Sequence, residues 1–167
     1  MSDLQPAWQK WLDSLDVSRR AAADSLHAQF SALGVTDPAD LVKSEVMEGV
    51  PQLARFVLLR SLWHGAIDGW TGPGSLDQLP AAQRLLAAGA DREELVRLAR
   101  AVAYEAVFAT LDELDAGGDA NVMGVEGGWV VMESDEDGSP TGRTLPALHE
   151  DLLTMDPSGR DGADLWQ

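Results

Sequence analysis

The chain has 167 residues, with 28 Asp and Glu against 12 Lys and Arg, no cysteine, and a formal net charge of −16. That length supports one core holding about two thirds of the unfolded surface, and the missing thiols exclude disulfides, thiolate metal sites and cysteine nucleophiles. Such acidity repels phosphate backbones and anionic lipids, which argues against nucleic acid and membrane surfaces as partners and favours basic proteins.

The charge is unevenly placed. Residues 112–167 carry fourteen Asp and Glu against Arg143 and Arg160 alone, a net of −12. A composition bias of the whole proteome would spread acids more evenly, so a local acidic surface is expected. The first residues lack both a basic segment and an apolar run, and no apolar stretch approaches membrane-spanning length. With the absence of cysteine, this gives the expectation of a soluble, cytoplasmic protein.

The first two thirds read as helices. Leu4, Ala7, Trp8, Trp11, Leu12 and Leu15 recur at helical spacing, and a second run from Ser18 to Leu33 places Ala22, Leu26, Phe30 and Leu33 on one face before Gly34. Thr36-Asp37-Pro38 then supplies start signals for a third helix ending near Glu48 at Gly49. The segment Val50 to Trp70 is the most apolar, with Phe56, Leu59, Trp63, Ala66, Ile67 and Trp70 in one stripe and Val57, Leu58 and Leu62 beside it. This predicts a helix in the middle of a bundle.

A turn at Gly69 to Gly74 and a short helix over 76–88 follow. Asp91 then caps a long helix from Arg92 to Leu114, in which Leu95, Leu98, Val102, Val107, Leu111 and Leu114 look core-facing. After Gly117-Gly118 the pattern changes. Residues 128–133 read as a strand, Asp135-Glu136-Asp137-Gly138 as a turn, a return strand lies before Pro140 or around Arg143, and a last helix runs from Leu145 to Met155. The expected fold is mainly α, a single-domain bundle of five to seven helices with a small C-terminal β-hairpin, in which 1–116 form the helical body and 117–167 an acidic segment. An isolated hairpin is marginal in water, so it is expected to lean on the helices through Trp129, Val131 and Trp166.

Two groups of residues are candidates for function. Arg60, His64 and Asp68 stand at i, i+4 and i+8 of the most apolar helix, and Glu105 is the only charge between Ala101 and Leu111. Were their helices adjacent, these side chains would make a polar pocket able to hold a metal or to do acid–base work, or a network that satisfies itself. The second group is Trp129, Glu133, Asp135, Glu136, Asp137 and Trp166, tryptophans set among carboxylates, a composition suited to anchoring a basic protein.

Other motifs fall short. Glu133 to Thr144 resembles a calcium loop in its first half, but Thr144 stands where a bidentate Glu is needed and a strand precedes it. His149-Glu150 lacks the second His of a zinc-protease helix, and His27, with no acidic or His neighbour at i±4, reads as a surface residue. No motif implies a cofactor. The leading expectation is a non-enzymatic acidic interaction protein, resembling an inhibitor or immunity partner in charge logic, that binds a basic protein. The alternative is a small helical enzyme or ligand- or metal-binding protein built around His64 and Glu105.

Overall fold

The structure, a computed structural model, describes residues 4–118, 124 and 127–167. Met1 to Asp3, read above for a leader, lie outside the described residues, as do Asp119 and Glu126 of the acidic third. The molecule is mainly helical with one small two-stranded antiparallel sheet near its C-terminal end. Its helices are α1 (Leu4–Leu12), α2 (Val17–Ala32), α3 (Ala39–Glu48), α4 (Gln52–Leu62), α5 (Pro80–Ala87), α6 (Arg92–Ala116), α7 (Leu148–Asp151) and α8 (Ala163–Trp166). Strands β1 (Met132–Ser134) and β2 (Pro140–Thr144) form the hairpin. No helix among the described residues is long and apolar enough to cross a membrane.

Contacts divide the chain into two compact units, one of residues 1–55 with 132–145, the other of 56–131 with 146–167. In the first, Asp16 caps α2 by accepting the Arg19 amide at 2.9 Å. Gly49 ends α3 at φ 75°, a conformation open to glycine at little cost. Leu12, Ala23, Phe30, Val42 and Leu145 are its buried apolar residues. Trp8 packs between Trp11 and His27, with ring centroids 4.9 and 5.0 Å away, so His27 is half-buried against an indole rather than a free surface residue.

The hairpin belongs to this first unit. Its turn is built by Asp135, whose carboxylate accepts the amides of Asp137 and Ser139 at 3.0 and 2.9 Å, while Gly138 takes φ 80°. The paired segment begins at Met132, four residues later than the sequence pattern suggests, because the Trp129 amide is instead bound to the Gly117 carbonyl at 3.0 Å.

In the second unit the apolar segment after Val50 is not one continuous α-helix. After Leu62 it widens into a π turn over Trp63–Ile67 and then tightens into a 3₁₀ turn over Asp68–Thr71. This change of winding takes His64 and Asp68 out of the straight row that an α-helix would give. Trp63 and Ile67 are fully buried, with Leu59, Leu148 and Leu152. Asp91 caps α6 through the amides of Glu93 and Glu94, as its sequence predicts.

The inner face of α6 is only partly the one expected, Leu111 facing inward as foreseen. Leu98 and Val102 are each 60% exposed and Leu114 is 36% exposed, whereas Tyr104 and Leu111 are buried. The α6 sequence carries two apolar stripes, and the one bearing aromatic rings takes the core. Tyr104 contacts Trp63, Phe108 and Trp166, with centroids at 5.9, 6.3 and 5.2 Å. Rings bury far more area than Leu or Val, so this choice favours the Tyr104 face. The last apolar run is also split: α7 is four residues, a 3₁₀ turn covers Leu153–Met155, and α8 lies beyond the expected end.

Candidate docking surface

The two ends of the first polar group are apart in character. His64 and Glu105 are both exposed, and among the described residues no three His, Asp or Glu side chains are placed to hold a metal ion. Asp68 turns instead to Arg100, accepting from its Nε and Nη2 at 3.0 and 2.7 Å. Asp164 accepts Arg100 Nη1 at 2.6 Å and Arg160 at 3.0 Å. Burial alone would weaken the Arg100 charge, but Asp164 and Asp68 outweigh it and raise its pKa. This is a structural clamp fastening α8 and the 3₁₀ turn to α6. Arg60 lies on α4, half-buried.

The acidic group divides between the two units. In the first, Glu133 is bound by Arg143 and by the Thr141 hydroxyl at 2.8 Å. Burial pushes its carboxyl up, and Arg143 and Thr141 together hold it below the usual carboxylate range. The same guanidinium reaches Glu45, a buried acid on α3, at 3.1 Å, and Glu45 also accepts the Leu53 amide at 2.9 Å. With Asp135 occupied by turn amides, only Glu136 and Asp137 of this group point their charge at solvent without such engagement. The calcium-loop resemblance dissolves for the same reason: the oxygens at its first and third positions already accept hydrogen bonds.

In the second unit both tryptophans stand out from the surface. Trp166 is 53% exposed and rests edge-on against Tyr104. Trp129 is 46% exposed, and its indole N–H donates to the Glu113 carbonyl at 3.0 Å. Gly117 ends α6 at φ 69°, and Gly128 lies so close to the Gly117 carbonyl that no other residue fits at 128 without moving backbone. The Trp129 ring is thus fixed to the C-terminal end of α6 rather than left to swing.

The same unit has an open apolar groove of about 350 Å³, lined by Leu58 and Leu62 of α4, Ala106, Leu111 and Leu114 of α6, and Val131, two residues after Trp129. A second groove of similar size runs between α5 and the N-terminal half of α6, and Ala106 lines both. Val130 is 59% exposed beside Trp129. The exposed acids of this stretch are Glu105, Asp112 and Glu113. Sequence reasoning picked out Trp129 from its composition but missed the groove, because Leu98, Val102 and Leu114 read as core.

No family model, no curated protein and no solved structure matches the chain.

Proposed function

We propose that this is a non-enzymatic, cytoplasmic interaction protein that binds a basic protein partner, in the manner of an inhibitor or immunity protein. The observation that carries the reading is Trp129: a large ring, half exposed and hydrogen-bonded in place, two residues before Val131 of an apolar groove, in a chain of net charge −16. Tryptophan held rigid at a surface loses little side-chain entropy on binding, which is the property of an interface anchor. The carboxylates add long-range attraction that raises the encounter rate with a cationic partner and falls with salt.

The test is capture of partners from native cell extract on immobilised full chain at low and at high salt, in parallel with Trp129→Ala. Recovery of a basic protein at low salt, reduced by salt and by the substitution, is expected. Recovery of no basic protein at low salt, or equal recovery by both chains, overturns the reading.

A further inference from the structure

Two apolar grooves of the second unit share Ala106. Along α6, Leu95, Leu98, Val102, Ala106, Thr110 and Leu114 recur every three or four residues, and they line the two grooves in succession. By helix rise this stripe is about 28 Å long. Leu79 and Leu85, 40% and 49% exposed, wall it on the α5 side, and Leu58 and Leu62 on the α4 side.

Its charges are graded. At the N-terminal end the ions cancel in pairs, Arg92 with Asp77 and Arg97 with Glu94, each at 2.7 Å. Arg84 of α5 is exposed there as well. In the middle, Glu105 is the one charged side chain of α6 between Ala101 and Leu111. Toward the C-terminal end stand Asp112 and Glu113, exposed, with the negative end of the helix dipole. Asp112 shares its charge with His149 of α7, 3.8 Å away, and Asp115 is bound to the same ring, so Glu105 and Glu113 are the freest acids on this face.

Resting on the reading above, we propose that the outer face of α6 is a docking groove for an amphipathic helix of another protein, one with a Leu- or Ala-type stripe and Lys or Arg on its flanks, its cationic end against Glu105, Glu113 and Trp129. The occupant is helical because the walls are helices, whose ridges at three- and four-residue spacing accept ridges of the same spacing. No strand lies in this unit among the described residues to accept an extended peptide by edge pairing. A second copy of the chain is disfavoured, since each carries a net charge of −16. A cationic helix has the complementary sign.

The experiment titrates three synthetic helical peptides of one length into the full chain: a Leu stripe with Lys flanks, the same residues scrambled, and the stripe with Glu in place of Lys. Heat of binding and tryptophan emission are read together. The patterned Lys helix is expected to bind at least tenfold tighter than either control, and to shift emission in the wild type but much less in Trp129→Phe. Leu98→Asp with Val102→Asp, at exposed positions that leave the far-ultraviolet spectrum unchanged, is expected to lose the binding. Equal binding of patterned and scrambled Lys peptides overturns the groove while leaving a basic partner in place. Equal binding of the Glu helix overturns the charge argument, and with it both readings. Binding unaffected by the double substitution, or no binding by any peptide, overturns the groove alone. A dimer in sedimentation that the double substitution dissociates assigns the face to a second copy and overturns it too.

Discussion

The indole nitrogen of Trp63, in the π turn, donates to the carbonyl oxygen of Leu152 at 2.6 Å, and both residues are fully buried. The bond ties the short C-terminal helices to the centre of the second unit, where α7 and the following 3₁₀ turn have too few residues to hold shape alone.

Trp63→Phe removes that donor and leaves the buried Leu152 carbonyl with only the longer bond from the Met155 amide, at 3.3 Å, besides opening a small cavity. A cost of about 2–4 kcal/mol is expected from the lost buried hydrogen bond and the lost volume together. Urea unfolding measures it. A cost under about 1 kcal/mol would mean the carbonyl finds another donor and the bond is not what fastens the C-terminal segment.

Arg143 holds two acids of the first unit, Glu133 on β1 and the buried Glu45 on α3. Arg143→Ala strands the Glu45 charge, and because the guanidinium is itself partly exposed we expect about 2–3 kcal/mol, below the range for a fully buried pair. Glu45→Gln keeps an acceptor for the Leu53 amide and removes the charge. Added to Arg143→Ala, it is expected to restore part of the loss. Further destabilisation of the double variant in thermal melts would show that the Glu45 charge is not the source of the penalty.

Local signals in the sequence located most of the helices. Asp91 caps and Gly49 ends its helix as their positions imply, whereas the Asp16 cap and the end of α6 at Gly117 lie one or more residues outside the expected bounds. What the sequence concealed lies in choices among apolar residues. Leu98 and Val102 are as hydrophobic as any core residue, and only the packing of Tyr104 and Phe108 decides that the other stripe turns inward. The π turn at Trp63 has no proline or glycine pair to announce it; it accompanies burial of Trp63 and Ile67 on one side. Arg100 and Glu45 had a readable mark, an ion on an otherwise apolar stripe, but their partners Asp164, Asp68 and Arg143 are distant in sequence. Trp129 stood out by composition, whereas the groove that Val131 lines exists only in three dimensions.

His149 gives the second unit a pH dependence. Its Nδ1 lies 2.7 Å from Asp115, whose carboxylate also accepts the His149 amide at 3.1 Å. The hydrogen bond to Asp115 raises the imidazole pKa, burial opposes it, and Asp112, Asp115 and Glu150 add to the rise. A group whose folded pKa is raised contributes stability fully present below its unfolded value, about 6.5, and lost as pH climbs through the folded value. Melting temperature is therefore expected to fall as pH is raised from about 6 toward 8, and His149→Gln to flatten that fall. Identical profiles for the two chains would locate the titration elsewhere.

Salt is the remaining test, and the structure sharpens it. Several acids of the last third are engaged within the fold: Glu133 is paired with Arg143, Asp164 with Arg100 and Arg160, and Asp156 accepts the Ser158 and Gly162 amides. Asp112, Glu113, Glu136, Asp137, Glu150 and Asp161 stay exposed. Exposed pairs such as Asp16 with Arg19 or Asp40 with Lys43 are weakened by salt, but each is worth at most about 1 kcal/mol. Repulsion within a net charge of −16 acts over the whole surface and is screened over about 8 Å at 0.15 M ionic strength. Relief of repulsion wins over loss of weak pairs, so melting temperature should rise with NaCl and rise equally with KCl at the same ionic strength. Calcium at matched ionic strength should do no more, because the Glu133 and Asp135 oxygens are already engaged. A melting temperature flat in salt would show that repulsion is already balanced within the fold, and would remove the electrostatic basis for a cationic partner. A rise confined to calcium would instead require Glu133 to leave Arg143 and the loop to be a cation site.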